Sequence, residues 1–577
     1  MTVEEEQIAP AETRAGWRKV VYYLYPLMAA LAVEVVVFNL RFWLWFLGGP
    51  TEAAFSLCAP RIAILVAVAY YAFAFRPSSR LHATVLRATK TQLAIIVAVV
   101  GLHAASFAAV TQHVDENQFF TAGTTKFEGA VYDDGQQYAY LADSILAGRT
   151  WLDLEVPNWL AAMENPYDAQ ERFDHAYETG EPFYWDFAFY KGKYYCYFGA
   201  LPAVVAFVPY KAITGSDLRT DYAVAFFAII LSISIAVFLF RFLKRYAPRA
   251  SLGFYLLSFI MFSMGCATLT QVFYPLFYSL PPLAGMSCIF FGLAAWLSAR
   301  RQDGSLRKGL LVLGSTLLAC TLWCRPQMFL VIGLAFPLFW NEIVIDRAFF
   351  SRKGMGNTLA ILVPCLIVGV GAMWYNYIRF DSFFDFGASY NLTGFDMTAK
   401  AHGISLRAIA VALLFYVFMP LDISPSFPYL DEIAWRSQIP VEPFYGGFFS
   451  FTPAALSILG IWHFRKQLKE KKLMGLCVLC CIVAVILMLL SAQVASVSMR
   501  YFSDFAWALL IPALCVWIVL FERDSEKQKT SMLLLFVALV LVGEGLSYWN
   551  MLSIGKYGQI ITMNPDFYAL MESWFSI

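Results

Sequence analysis

Val131-Tyr132-Asp133-Asp134-Gly135-Gln136-Gln137-Tyr138-Ala139-Tyr140-Leu141-Ala142-Asp143-Ser144-Ile145-Leu146-Ala147-Gly148 is the stretch on which the reading of this chain turns. It lies near the start of the longest polar interval, Thr111 to Cys196, in a chain whose other segments are mostly apolar and membrane-length. The interval is acidic but also rich in Tyr, Trp and Phe, so it reads as a folded cap on a membrane domain and not as a solvating tail. Tyr138, Leu141, Ala142, Ile145 and Leu146 recur at helical spacing, which predicts an amphipathic helix over Tyr138–Ala147 ended by Gly148. Asp134 then stands just before the helix. Two roles fit it. One is a helix cap, favoured by the helix dipole. The other is a general base at the membrane surface, where an apolar cavity can raise a carboxyl pKa toward the working range. Asp133 has an equal claim to the cap, which would leave Asp134 free.

Composition sets the class. The 577 residues are 60% hydrophobic and 14% charged, with a mean hydropathy of +0.60. Soluble domains are far more charged, and many apolar runs here reach the roughly 20 residues needed to cross a bilayer. The 42 basic and 41 acidic residues give a net charge of +1, a balance that argues against a nucleic-acid partner. Most cysteines lie inside apolar runs and only Cys196 borders the polar interval, so no disulfide framework is visible. The histidines do not cluster, and no zinc-ligand spacing is present.

Basic clusters orient the spans. Arg14, Arg18 and Lys19 place the N-terminus in the cytoplasm, and Arg76, Arg80, Arg87 and Lys90 mark the next inner loop. The helix over Thr91–Val110 then exits, so the interval Thr111–Cys196 is extracytoplasmic. Carried along the chain, this parity gives thirteen crossings with every basic cluster inside and the C-terminal tail outside. Two apolar runs, Gly199–Ile213 and Ala408–Leu421, do not fit as crossings and contain proline, so they read as re-entrant or surface segments beside an outward-opening cavity. The expected fold is an all-α polytopic membrane protein of about 13 transmembrane helices. Its parts are a cytoplasmic tail (1–19), a three-helix segment (20–110), the acidic and aromatic loop (111–198), a transmembrane core (199–549) with outer loops 374–405, 422–448 and 491–504, and an outer tail (550–577).

Sorting polar residues by side leaves the unusual ones outside: Asp133, Asp134 and Asp143; Arg325; Arg379, Asp381, Asp385, Tyr390 and Asn391; Glu442; Arg500, Tyr501 and Asp504. An ionisable group at the end of a span is a functional candidate, and a snorkelling arginine is the plainer reading. If Arg325 and Arg500 face a cavity they suit a phosphate, which guanidinium binds bidentately. Lys193, in Lys191-Gly192-Lys193-Tyr194-Tyr195, suits a headgroup or sugar, or an interfacial anchor. Asn391-Leu392-Thr393 fits a glycosylation sequon. Glu34 and Glu544 lie within helices and could be paired or line a cavity; Gly543 and Gly545 beside Glu544 would permit a close helix contact.

The run Asp134-x-x-x-Tyr138-Ala139-x-x-Ala142-x-x-x-Leu146-Ala147-Gly148, then Trp151, resembles the first outer loop of GT-C-fold glycosyltransferases, which include protein O-mannosyltransferases and the lipid A aminoarabinose transferase. Tyr194 to Pro202 is similar to that family's aromatic, proline-containing approach to the next membrane helix. Asn376-Tyr377-x-Arg379-Phe380, Phe384-Asp385-Phe386-Gly387, Tyr390-Asn391 and Arg500-Tyr501 also look like its outer-loop sequence. Two helices precede the usual first one here, and Gly135 follows Asp134 where aminoarabinose-type enzymes carry an acid. The resemblance implies a GT-C-like enzyme moving a sugar from a polyprenyl-phosphate donor to an extracytoplasmic glycan, lipid or protein acceptor in a bacterial plasma membrane. It implies Asp134 as the catalytic base or the base's close partner; the second acid here, Asp133, stands before it and is the other catalytic candidate. Arg325, Arg500 and Lys193 are expected on the donor phosphate. Tyr138, Tyr195, Arg379, Asp385, Tyr390, Glu442 and Tyr501 would contact substrate. No cofactor is expected, and a divalent metal is an option the sequence does not support. The alternative is a transporter or flippase for a lipid-linked saccharide, or a scaffold in envelope assembly.

Overall fold

A computed structural model of the chain describes residues 11–112, 126–128, 131–133, 135–394, 396–397, 406–433, 442–494, 497–522, 526–553 and 560–576. Among them, seven helices are long and apolar enough to cross a bilayer: Lys90–Val110, Thr220–Tyr246, Phe277–Ala299, Met355–Phe380, Met474–Ala492, Met499–Phe521 and Gln528–Asn550. Tyr22–Val36 and Leu40–Phe46, bent by 58°, make an eighth if taken as one span. The remaining expected crossings are shorter or broken. Leu252–Gly265 stops before Ala267, whose φ of +54° interrupts the ladder ahead of Thr268–Phe273. Pro326–Leu334 and Pro453–Gly460 are 3-10 helices that open on proline. A 3-10 helix rises about 2.0 Å per residue against 1.5 Å in an α-helix, so few residues still reach far. The thirteen expected crossings thus become seven or eight full-length helices plus these pieces. Hydropathy counts apolar residues and does not register where the hydrogen-bond ladder breaks.

Seven helices position the site: α1 (Gln137–Leu146), α2 (Thr220–Tyr246), α3 (Leu280–Ala299), α4 (Lys308–Cys320), α5 (Met355–Phe380), α6 (Met474–Val494) and α7 (Phe502–Phe521). α3 and α7 are buried along nearly their whole length and form the centre of the bundle. α3 packs against α2 and α4, and α6 packs against α7. Small residues allow the α3–α4 approach: a Cβ on Gly292 would lie 2.6 Å from Leu318 Cγ. The polar positions expected inside helices are paired. Glu34 accepts from Arg61 at 2.6 Å, and Glu544 bonds His103 at 2.9 Å. A Cβ on Gly543 would meet the Phe451 carbonyl at 2.8 Å, the close contact that its glycine flank suggests.

Within this helical fold the polar interval also carries short strands. β1 (Lys126–Glu128) pairs antiparallel with β2 (Val131–Asp133), and β2 pairs parallel with β3 (Phe183–Tyr184). β4 (Ala188–Tyr190) and β5 (Lys193–Tyr195) form a hairpin. Its turn, Lys191-Gly192, takes φ of +47° and +71°, the two left-handed residues a tight type I′ turn requires. The stretch after α5 is knitted onto this layer. Asp186 N donates to Leu392 O at 3.0 Å and Leu392 N to Phe187 O at 2.9 Å. Buried Arg172 donates to Thr393 O at 2.5 Å. Two loops far apart in sequence therefore make one cap.

The amphipathic helix forms within one residue of its expected bounds, and Gly148 follows it with φ +70°. Its N-cap position is Gln136, so the helix starts later than a cap at Asp133 or Asp134 would require. Asp134 lies outside the described residues, as does the Asp133 side chain. Tyr138 is fully buried, stacks on Phe207 at 5.6 Å and donates to Gly199 O at 3.0 Å. Phe207 belongs to the helical segment Ala203–Thr214, which at 12 residues spans about 18 Å against a hydrocarbon core of about 30 Å. Gly199 lies against the Trp323 backbone, where a Cβ would collide. Beyond the segment, Thr220 Oγ1 returns to Gly135 O at 2.9 Å. Both ends thus sit at the cap, and Lys211 ties the segment to Asp143 of α1. Leu406–Phe418, the second such run, is 13 residues long. Tyr138→Phe should keep the stacking and lose the bond, lowering stability by about 1 kcal/mol in a denaturant titration.

Candidate active site

Where the cap meets the ends of α3 to α7, the chain encloses a cavity of about 640 Å³. Leu322, Trp323, Ala372 and Leu490 give it an apolar wall at the level of the spans. Its polar lining includes Asp186, Arg325, Gln327, Asn376, Arg379, Asn391, Glu442, Arg500 and Asp504.

The arginines come from two breaks in the helical bundle. α4 tightens into the 3-10 turn Thr321–Trp323, and Arg325 follows in extended backbone before Pro326. Its Nη1 lies 2.6 Å from Asp504 Oδ2, and Asp504 sits in the first turn of α7, where a carboxylate favours the helix dipole. Arg500 precedes the same helix. Its Nη2 donates to Glu442 Oε1 at 2.7 Å and to the Tyr501 hydroxyl at 3.1 Å. Tyr501 is shared between the two cations, with its ring centroid 5.4 Å from the Arg325 guanidinium and 5.0 Å from that of Arg500. A guanidinium carries five N–H donors, so an arginine bonded to one carboxylate can still bind a phosphate.

On the cap side stands Asp186, which the sequence reading did not single out. It is 9% exposed and takes φ +59°, a left-handed conformation that Asp tolerates better than most residues. Its Oδ1 accepts from Asn391 Nδ2 at 3.0 Å, and its Oδ2 accepts the Tyr278 hydroxyl. The Tyr278 ring in turn faces Arg500 at 4.7 Å. A strained backbone holding a buried carboxylate in a cavity is a mark of a functional site. Gln137 Nε2 donates to Asp186 O at 2.9 Å, so the start of α1, three residues past Asp134, is tied to this residue. The arrangement sets three cations (Arg325, Arg379, Arg500) against three carboxylates (Asp186, Glu442, Asp504) around one cavity.

The expected site residues divide. Arg325, Arg379, Arg500, Glu442 and Tyr501 line the cavity. Arg379 is 5% exposed, packs over Tyr375 at 3.9 Å, and donates to Cys196 O at 2.8 Å and Asn376 Oδ1 at 3.0 Å. Tyr138, Tyr195, Asp385, Tyr390 and Lys193 are not among the lining residues. Tyr195 packs on Phe380 at 5.2 Å, and Asp385 accepts from Gly387 N at 2.7 Å. Tyr390 packs on Tyr190 at 4.6 Å, where burial pushes its phenol up to about 12. Lys193 is exposed on the hairpin, its ammonium 3.7 Å over the Trp151 ring. It opens the strand as its exposed residue, whereas Tyr194 and Tyr195 after it are buried. Lys193→Ala should therefore change the affinity of a ligand held in the cavity by no more than about threefold, measured by titration. Asn391 of the sequon is 6% exposed and bonded to Asp186, so in the folded chain it is a cavity residue.

Among the described residues, no group of three or more His, Cys, Asp or Glu gathers as a metal site would. No family model and no curated protein matches the chain. In three dimensions it is similar to ArnT from Cupriavidus metallidurans, solved bound to undecaprenyl phosphate, at 13% identity and a TM-score of 0.42, covering 85% of this chain and 70% of that one. It is also similar to the Archaeoglobus fulgidus oligosaccharyltransferase in its apo form, at 12% identity and a TM-score of 0.41, covering 78% of this chain and 56% of that one. Both likenesses concern the course of the backbone alone.

Proposed function

We propose that this chain is a membrane glycosyltransferase that moves a sugar from a polyprenyl-phosphate carrier to an acceptor hydroxyl on the side of the bilayer the cap faces. One observation carries the reading. Arg325 and Arg500 flank Tyr501 on the wall of a cavity that is apolar at span level and carries a buried carboxylate on its cap side. A lipid-borne phosphate reaches such a cavity from the hydrocarbon edge, and an acceptor reaches it from the cap.

The chemistry follows from the groups. A carboxylate takes the proton of the acceptor hydroxyl, and the oxygen attacks the anomeric carbon. The bond from that carbon to the phosphate oxygen breaks, and its electron pair leaves with the polyprenyl phosphate. The charge developing there falls between guanidiniums already fixed by Asp504 and Glu442, so little reorganisation is needed. Attack opposite the leaving group inverts the anomeric centre. Asp134 is the assigned base, with Asp133 its neighbour. The purified chain should release polyprenyl phosphate from one member of a panel of radiolabelled polyprenyl-phosphate sugars and transfer the label to an acceptor. Movement of intact donor between the leaflets of a vesicle, with no release, would favour the flippase instead.

A further inference from the structure

We propose that a second cavity, at the far end of the bundle from the candidate active site, binds the phosphate headgroup of an anionic membrane phospholipid. It encloses about 690 Å³. α3 begins just after Tyr278 of the candidate active site and ends on this cavity with Leu297 and Ser298. The 20 residues of α3 put about 30 Å between the two.

Its lining is basic. Arg241, Lys244 and Arg245 come from the last turns of α2, and Arg300, Arg301 and Arg307 from the turn joining α3 to α4. Lys471 and Lys472 come from the approach to α6. Among the described residues, two of these eight cations have a carboxylate at ion-pair distance: Arg300 with Glu342 at 3.0 Å and Lys471 with Glu522 at 2.6 Å. Asp303 lies in the Arg301 turn, but its Oδ1 is bonded by Ser305 N at 2.9 Å and Ser305 Oγ at 2.7 Å.

Basic clusters at one end of a bundle are ordinary topology signals, but that role needs no concavity. Here cations from three parts of the chain converge on one cleft, which concentrates their field and favours an anion. Arg245 adds a directional argument. Its Nη2 donates to Leu338 O at 3.0 Å, while its Nη1 is buried without a hydrogen-bond partner. A buried donor left unmet is costly, and a phosphate oxygen would satisfy it.

The rim identifies the phosphate as lipid-borne. Trp340 lines the cavity and is 56% exposed. Phe336, Val344 and Ile345, on the same stretch of chain, are 57%, 49% and 67% exposed. Tryptophan beside exposed apolar side chains is what the membrane interface favours, and it gives acyl chains a surface next to the cationic cleft.

The test titrates the detergent-solubilised full chain with short-chain phosphatidic acid, short-chain phosphatidylcholine and inorganic phosphate. Phosphatidic acid should bind, the other two much more weakly. Arg245→Gln with Arg301→Gln should weaken phosphatidic acid about thirtyfold, from the loss of two interfacial cations. Arg301→Gln with Arg307→Gln, both at exposed positions, gives the same reading if the first variant does not fold. Unchanged affinity in a folded double variant overturns the proposal. Inorganic phosphate binding as tightly as phosphatidic acid overturns the lipid assignment.

Discussion

Arg500→Gln should lower kcat/KM for transfer by about 10²- to 10³-fold, the usual cost of losing one fixed group aimed at developing charge. Three features make Arg500 the more telling of the two arginines. It touches both Glu442 and Tyr501, and its face meets the Tyr278 ring that leads to Asp186. It thus links the phosphate side of the cavity to the carboxylate side. Glutamine keeps polar length but removes the charge and the two-pronged geometry. Arg500→Lys should recover only part of the loss, because an ammonium offers the charge without the planar fork. Glu442, itself mostly buried, is left without its cation in Arg500→Gln. Some stability loss is therefore expected, and a melting curve must accompany the kinetics. Transfer within about threefold of wild type in a folded Arg500→Gln would remove this residue from the machinery.

Asp134→Asn should lower kcat by about 10²- to 10⁴-fold while donor binding persists, the pattern expected when a general base is replaced by an isosteric amide. The assignment rests on position. Asp134 directly precedes the turn that leads into α1, and Gln137 in the first turn of that helix is bonded to the Asp186 backbone. Asp186→Asn is the informative companion. Both oxygens of Asp186 already accept, from Asn391 and Tyr278, so its removal should disorder the cavity and not merely delete a proton acceptor. That variant should raise KM as well as lower kcat. Full turnover in Asp134→Asn would move the base to Asp133 or to Asp186.

Much of this arrangement was legible in the sequence where the signal is local. Arg325, Arg500 and Glu442 stand out as charges bordering apolar runs, and all three line the cavity. The helix after Asp134 is written in one amphipathic repeat, and its bounds hold to within a residue. The two short proline-containing runs are too brief to span, and the first keeps both ends at the cap. What the sequence concealed is long-range. Asp186 is one acid among many in a polar interval. Its distinction comes from partners 92 and 205 residues away, Tyr278 and Asn391. Lys193 is the opposite case: a cation among aromatics suggests a headgroup site, yet it stands exposed over the Trp151 ring and is absent from the cavity lining. The span count suffered because proline-led 3-10 segments and the left-handed Ala267 break helices that hydropathy treats as continuous.

The most direct measurement is photocrosslinking with a polyprenyl-phosphate sugar carrying a photoreactive group near the phosphate, followed by peptide mapping. The cavity between Arg325 and Arg500 predicts adducts on the segments 322–327 and 499–504, competed away by unlabelled polyprenyl phosphate. Adducts confined to the basic cavity around Arg241–Tyr246, or none that compete, would contradict the donor site proposed here.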